Sequence, residues 1–350
     1  MSEKTASNHR DPHSSVAAPD EHKAALEPRD PRAEALAAEL EPARQPPGDW
    51  PAVGSVPVSV LVPTLREAAN IGACLRHLSW AEQIVVVDSH STDMTGPIAQ
   101  AFGAELYQFT LSPAGWPKKR NWALAHVPWR HEWVLVMDAD EHVTPALARE
   151  IEAVVTRESD DGCTGYWVNR RFMFLGRWIR HCGYYPSWNL RLFKHRVGRY
   201  ERIGELHDTD SGDNEIHEHV VLAEGKAGRL RHDFLHYAYP DLSTWVEKHN
   251  RYSSWEAQVM QAGLKGGFQA SLFGGPIARR RWLKQKAMHL PMRPTLRFLY
   301  HYVFRLGFLD GYPGYCLARL LGWYEFLSIA KYRELRRKRR DAPPSSEDDS

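Results

Sequence analysis

From residue 56 onward, short apolar runs alternate with segments of helical spacing. Val58 to Val62 and Gln83 to Val87 are valine-rich runs of strand length, and Glu105 to Phe109 and Trp133 to Met137 are two more. Between them, Glu67 to Leu78 carries Ile71, Leu75 and Leu78 on one helical face, Pro97 to Phe102 lies in a helix, and Lys118 to Ala125 reads as another. Strands that alternate with helices predict an α/β fold with a mostly parallel sheet and crossover helices. In such sheets ligands bind beyond the carboxyl ends of the strands. After about residue 160 the pattern changes: Tyr166-Trp167-Val168 and Asn189 to Phe193 predict strands of an antiparallel or mixed extension.

Composition sets the borders. Residues 1–55 are rich in Ala, Pro, Glu, Arg and Asp, with no Phe, Tyr or Trp before Trp50, which predicts a disordered tail. Ala33 to Leu40 has transient helical character, stopped by Pro42. Residues 336–350, a basic run followed by Pro and acids, predict a second solvated tail. The body then divides into an α/β domain at 56–256 and a helical segment at 257–335. A net charge of +2 gives no bulk attraction to nucleic acid. Four scattered cysteines without a Cys-x-x-Cys pair argue against a zinc ribbon or a disulfide scaffold, and suit a reducing cytosol. The Met-Ser-Glu-Lys start lacks the apolar run of a secretory signal, and no run of about 18 apolar residues predicts a spanning helix.

Three strand ends carry polar clusters: Pro63-Thr64 with Glu67, Asp88-Ser89, and Asp138-Ala139-Asp140-Glu141. Positions i and i+2 of an extended chain share a side, so Asp138 and Asp140 emerge together. Two such carboxylates make a hard-oxygen site for Mg²⁺ or Mn²⁺, which typically neutralises a diphosphate. The same acids also favour the dipole of a helix capped by Thr144 and begun by Pro145. Thr64 and Glu67 likewise have the spacing of a capping box. Lys119 and Arg120, at a helix start, suit phosphate oxygens or a plain basic face.

Together these residues resemble the family-2 inverting glycosyltransferases of GT-A fold. The resemblance lies in Val58-Ser-Val-Leu-Val-Pro-Thr-Leu-Arg-Glu-Ala-Ala-Asn-Ile71, Ile84-Val-Val-Val-Asp-Ser89 with Ser91-Thr-Asp93, and Asp138-Ala-Asp-Glu141. Lys119-Arg-Asn-Trp-Ala-Leu124, Ile216-His-Glu-His219, Leu235-His-Tyr237 and Gly307-Phe-Leu-Asp-Gly311 are similar to the lipopolysaccharide inner-core β-1,4-glucosyltransferase group. The resemblance spans roughly residues 56–335 and implies a Rossmann-like GT-A domain followed by a C-terminal amphipathic helical segment.

It implies that Asp88 contacts the nucleotide base, that Pro63, Thr64 and Glu67 support it, and that Asp138 and Ala139 line the donor site. Asp140 is the expected direct metal ligand, with Asp138 on the ribose or on the metal through water. His236 is placed near the pyrophosphate. Chemistry alone leaves Glu205, Glu215 and Glu218 open as the general base that takes the acceptor proton; the motif favours Glu218. The implied donor is a UDP-hexose such as UDP-glucose, and the implied acceptor a glycolipid such as an inner-core heptose of lipopolysaccharide. A polyprenyl-phosphate acceptor, or a non-catalytic membrane-associated module on the same fold, are the rival readings.

His232 and His236 have i,i+4 spacing, but their flanks read as strand, and His217 and His219 lack the His-Glu-x-x-His pattern, so zinc is not expected. Aromatics between Trp178 and Trp188 are either core or a sugar-stacking surface. From Ala257 to Leu309 there is no Asp or Glu, while Arg and Lys recur among Trp, Leu, Phe and Tyr. This pattern predicts interfacial attachment to an anionic membrane, hence a cytoplasmic protein peripheral on the inner face of the cytoplasmic membrane. No nucleic-acid-binding motif accompanies the basic residues.

Overall fold

In the computed structural model of the chain, residues 25–40, 48–112, 117–157, 162–201, 219–262 and 292–341 are described. The expected alternation is present: β1 (Val56–Thr64), α2 (Ile71–Arg76), β2 (Ala81–Asp88), α3 (Thr95–Ala101), β3 (Glu105–Gln108), α4 (Lys119–His126) and β4 (Trp133–Val136). A helix α1 (Pro31–Leu40) precedes them. Then come β5 (Glu141–His142), α5 (Pro145–Val155), β6 (Cys163–Phe174), β7 (Arg177–Trp178), β8 (Trp188–Lys194), β9 (Gly198–Tyr200), β10 (Val220–Leu222) and β11 (Lys226–His236). The C-terminal part holds α6 (Leu242–Ala262), α7 (Arg293–Leu299), a π turn at Tyr300–Phe304, a 3₁₀ turn at Gly307–Asp310 and α8 (Gly311–Asp341).

Among the described residues the main sheet runs β3-β2-β1-β4-β8-β6-β11-β5, with β7 on β6. Its first four strands are parallel, and β8 enters antiparallel to both β4 and β6. This is the mixed extension expected from the change of pattern after residue 160. Alternating side chains feed two cores. Val60, Val62, Leu135 and Met137 meet Ile71, Leu75, Leu147 and Ile151 on one face. Leu61, Val85, Val134 and Val136 meet Leu124 and Phe193 on the other. Both faces of the parallel half are thus apolar, which is why its strands read as continuous valine-rich runs.

Four boundaries differ from expectation. Helix α2 is shorter than Glu67 to Leu78, because Arg66 adopts a left-handed φ of 57° and the chain turns before it can wind. The stretch from Leu26 to Leu40 is not free tail: Glu27 N–H donates to the Leu106 carbonyl of β3 at 2.9 Å, and Ala33 is fully buried. Helix α6 crosses the expected 256/257 border and lies along α8, with Trp245, Leu317 and Leu321 in a third core beneath Phe172 and Phe174. The helical layer therefore begins with α6. Helix α8 also continues through Arg336 to Asp341, into the stretch read as a tail.

Candidate active site

Pairing between β1 and β2 sets Thr64 opposite Asp88 at their carboxyl ends. Asp88 is 1% exposed and accepts from Thr64 Oγ1 (2.7 Å), Ser91 N–H (2.6 Å) and Ser91 Oγ (2.6 Å). Its carboxylate thus closes the turn after β2. Thr64 caps no helix: its hydroxyl reaches across the sheet, while Glu67 accepts from Asn70 Nδ2 at 2.7 Å. Burial, and next the nearby Asp140, push the Glu67 carboxyl above its usual range once the opposing Asn70 bond is set against them. Pro63 precedes this cluster, half-buried.

Helix α4 places its first two cations differently from each other. Lys119 is buried and donates through Nζ to the Thr64 carbonyl at 2.6 Å, so it braces the end of β1 rather than facing open solvent. Arg120 lies 2.5 Å from Asp138 Oδ1. From β8, Arg191 reaches the other oxygen, Asp138 Oδ2, at 2.8 Å. The same Arg191 Nη2 lies 2.7 Å from Glu141 Oε1, and Glu141 is fully buried. Glu141 Oε2 in turn accepts the Asp138 N–H at 2.9 Å, which closes the turn around Ala139. Although burial opposes ionisation of Asp138, the Arg191 and Arg120 guanidiniums hold its carboxyl well below the usual carboxylate range.

Asp140 points the other way. Antiparallel pairing of β5 with β11 sets His236 opposite Glu141, and the Tyr237 N–H donates to the Asp140 carbonyl at 2.8 Å. His236 Nε2 consequently lies 3.5 Å from Asp140 Oδ2. Burial raises the Asp140 carboxyl, but facing His236 outweighs this and leaves it below its ordinary value. His236 Nδ1 has no hydrogen-bond partner among the described residues. Beside this pair opens a cleft of about 260 Å³, lined in part by Asn70, Asp140, His142, Met173, Tyr237 and Tyr239. His142, on the cleft wall, has its pKa pushed down to about 4 by burial and by the stacked His77.

The structure thus brings Asp138, Ala139, Asp140 and Arg120 together around one turn, with Glu67 close enough to feel both aspartates. Thr64, Asp88 and Lys119 form a neighbouring brace at the ends of β1 and β2. Glu205, Glu215, His217 and Glu218 lie outside the described residues. Arg191 escaped the sequence reading, because one Arg between Leu190 and Leu192 looks like an outward position of a strand. Its signal is visible only once β8 is known to lie beside β4.

His232 and His236 are not brought to one centre: His232 faces Glu150 at 2.8 Å, and His236 faces Asp140. Among the described residues no group of three His, Cys, Asp or Glu side chains converges to hold a metal. Trp178, half-buried, is covered by the guanidiniums of Arg180 (4.3 Å) and Arg171 (4.6 Å), with Tyr185 edge-on at 5.0 Å.

The family described as Glycosyl transferase family 2 matches residues 59–212. The lipopolysaccharide core biosynthesis glycosyltransferase LpsC of Rhizobium meliloti (strain 1021) is 29% identical over 246 residues, covering 64% of this chain and 80% of that protein. The uncharacterized glycosyltransferase RP128 of Rickettsia prowazekii (strain Madrid E) is 25% identical over 280 residues, covering 79% of this chain and 87% of that protein. Among solved structures, glucosyl-3-phosphoglycerate synthase from Mycobacterium tuberculosis with Mn²⁺, UDP and phosphoglyceric acid matches at 16% identity, covering 67% of this chain and 85% of that one. The TM-score of that match is 0.36. By its match to the Glycosyl transferase family 2 model over residues 59–212 and its glycosyltransferase relatives, this chain is a glycosyltransferase, built on a mixed α/β sheet.

Proposed function

We propose that this glycosyltransferase moves a hexose, glucose in the first instance, from a UDP-sugar to a glycolipid acceptor with inversion at the anomeric carbon. The observation that carries the reading is the division of labour around Ala139. Asp138 has both oxygens engaged by arginines, whereas Asp140 faces His236 beside an open cleft. The Asp140 carboxylate oxygen fits Mg²⁺ or Mn²⁺ when a diphosphate and water complete the shell, and the His236 imidazole favours the transition metal Mn²⁺ over Mg²⁺. Asp138 does not fit as a direct ligand, since its oxygens are already paired. A divalent ion held by Asp140 and His236 would neutralise charge on the departing diphosphate.

The chain's own residues supply the rest. Arg120 and Arg191 keep Asp138 ionised and fixed, so the turn through Asp140 is set before donor arrives. Thr64 and Asp88 hold the ends of β1 and β2 where the nucleotide would lie. In a single displacement the acceptor oxygen bonds the anomeric carbon as the bond to diphosphate breaks, and a carboxylate takes the acceptor proton. Glu218 is the residue we assign to that proton. The described residues that flank its segment meet beside the site: the Glu201 N–H donates to the His219 carbonyl at 3.0 Å, and the neighbouring Tyr200 ring lies under Arg120 at 5.3 Å. The glycolipid-acceptor reading is supported by likeness to LpsC, and with it we assign the reaction to the inner face of the cytoplasmic membrane.

The test is thermal stability with UDP-, GDP-, dTDP- and CMP-sugars, with and without Mn²⁺. A ligand at about 100 times its Kd stabilises the native state by roughly 2.7 kcal/mol. A shift confined to UDP-sugar plus metal, lost in Asp140→Ala and in His236→Ala, is expected. A shift that survives Asp140→Ala sinks the metal assignment. Full transfer by Glu218→Gln would favour a phosphate acceptor, which needs no general base.

A further inference from the structure

We propose that α7, the two turns after it and the outer face of α8 form a surface that docks on an anionic lipid bilayer. Thirteen of the twenty large apolar side chains exposed among the described residues fall between Met292 and Phe326, so this one segment carries most of the apolar surface. Phe304 and Tyr312 are the most open, at 75% and 74%. The aromatics are clustered rather than scattered: Tyr302 lies 5.2 Å from Phe298, 5.7 Å from Tyr315 and 6.3 Å from Phe308, ring centre to ring centre.

Charge identifies the occupant. Between Met292 and Arg333 the sequence holds two carboxylates, Asp310 and Glu325, and each is 2% exposed. Asp310 turns inward to accept from the backbone N–H groups of Arg180 (3.1 Å) and His181 (2.8 Å). Glu325 turns inward to Arg293 (2.5 Å) and Arg297 (3.2 Å). Arg305 and Arg319 stay exposed, and Arg319 lies over the Phe298 ring at 4.9 Å, within the aromatic cluster. The surface therefore offers apolar side chains and cations with its acids withdrawn, the complement of acyl chains beneath anionic headgroups. A second copy would bring the same cations face to face with no carboxylate between them. No helix among the described residues is long and apolar enough to cross a membrane, so the segment lies on the bilayer.

The surface is fastened to the active-site side of the molecule. The Cys182 N–H donates to the Arg305 carbonyl at 2.9 Å, and His301 Nδ1 sits 2.6 Å from the Cys182 carbonyl. Two residues on, Tyr184 stacks on Phe172 at 4.7 Å, and Phe172 faces His236 at 6.0 Å. Docking would thus fix the cleft at a set orientation to the membrane. The docking surface stands on its own residues; its use in catalysis rests on the glycolipid reading above.

The experiment is co-sedimentation of the full chain with phosphatidylcholine vesicles, with and without phosphatidylglycerol, for wild type and Phe304→Asp/Tyr312→Asp. Both changes lie on open surface, and an unchanged melting temperature and UDP-sugar shift confirm that the variant is folded. Wild type is expected to bind the anionic vesicles at least about tenfold more tightly than neutral ones, and the variant to lose about tenfold or more. Equal binding to both vesicles, undiminished binding by the variant, or no binding overturns the proposal. So does a lipid-free dimer that the variant dissociates, which would assign the surface to a second copy. Vesicle binding needs no donor, so failure of the UDP-sugar reading would leave this result standing.

Discussion

Arg191 Nη2 lies 2.8 Å from Asp138 Oδ2 and 2.7 Å from Glu141 Oε1, bridging two carboxylates of a single turn. The donor comes from β8 and the acceptors from the end of β4 and from β5. This bridge decides which aspartate faces the cleft. With Asp138 held from both sides, the chain leaves β4 with Asp140 turned toward His236.

Removing the bridge should cost more than removing a surface ion pair. Arg191→Met leaves Glu141 buried without its cation, a loss of about 3–5 kcal/mol for a broken buried pair. Arg191→Lys keeps the charge but loses the planar fork, and should fall between wild type and Met. Urea unfolding measures both. A cost for Arg191→Met below about 1 kcal/mol, the usual ceiling for exposed pairs, would mean that the turn holds itself.

Thr64→Val keeps the shape of the β1 end and deletes one donor to Asp88. Asp88 retains both Ser91 bonds but sits buried with one fewer partner, so the expected loss is about 1–3 kcal/mol. The same change should weaken UDP-sugar binding in the thermal assay, because the turn after β2 loosens. Destabilisation with unchanged donor affinity would confine Thr64 to a structural role.

Much of this arrangement was legible from sequence, and the exceptions have physical causes. The strands of the parallel half are short, apolar and buried on both faces, so Val58 to Val62 and Trp133 to Met137 announce themselves. Asp138 and Asp140 stand out because acids follow such a strand directly. Arg191 does not, since its partners are about 50 residues away and only the β4–β8 pairing joins them. The Thr64 and Glu67 spacing pointed to a capping box, yet the β1–β2 register offered Thr64 a buried carboxylate instead. Helical character at Ala33 to Leu40 was legible, but composition hid the docking of α1, because a helix with one buried alanine needs little apolar sequence to dock.

Acid should loosen the helical layer through His249. Its ring stacks on Trp245 at 3.4 Å and its Nδ1 lies 2.8 Å from the Trp245 carbonyl, with Tyr239, Tyr252 and Tyr324 around it. Burial pushes its pKa down to about 4, against an ordinary value of 6.5, and the backbone bond offsets only part of that. Between these values the unfolded chain binds more protons than the folded one, so stability falls as pH drops from 6.5 toward 4. The full effect of this one group is about 3 kcal/mol at most. His249→Phe keeps the ring and removes the titration, so its melting temperature should fall less steeply over that window. Parallel profiles for the two proteins would assign the acid sensitivity elsewhere.

The N-terminal segment should divide into two parts on truncation, contrary to the expectation of one disordered tail over residues 1–55. Deleting residues 1–24 is expected to leave stability and donor binding unchanged. Deleting residues 1–47 removes the Leu26–Tyr107 bridge, the Glu27 bond to Leu106, and both bonds between Gln100 and the chain at Pro28 and Asp30. Each such bond contributes about 0.5–1.5 kcal/mol net, and α1 at ten residues is too short to persist without its contacts. The deletion also uncovers β3, the terminal strand of the sheet, and a bare edge invites association between chains. The longer truncation should therefore unfold at lower urea and aggregate at lower concentration, while its UDP-sugar affinity, measured below the transition, stays that of the full chain because the residues proposed for the donor site belong to other elements. Equal stability of the two truncations would show that α1 only rests on β3 and α3 without holding them.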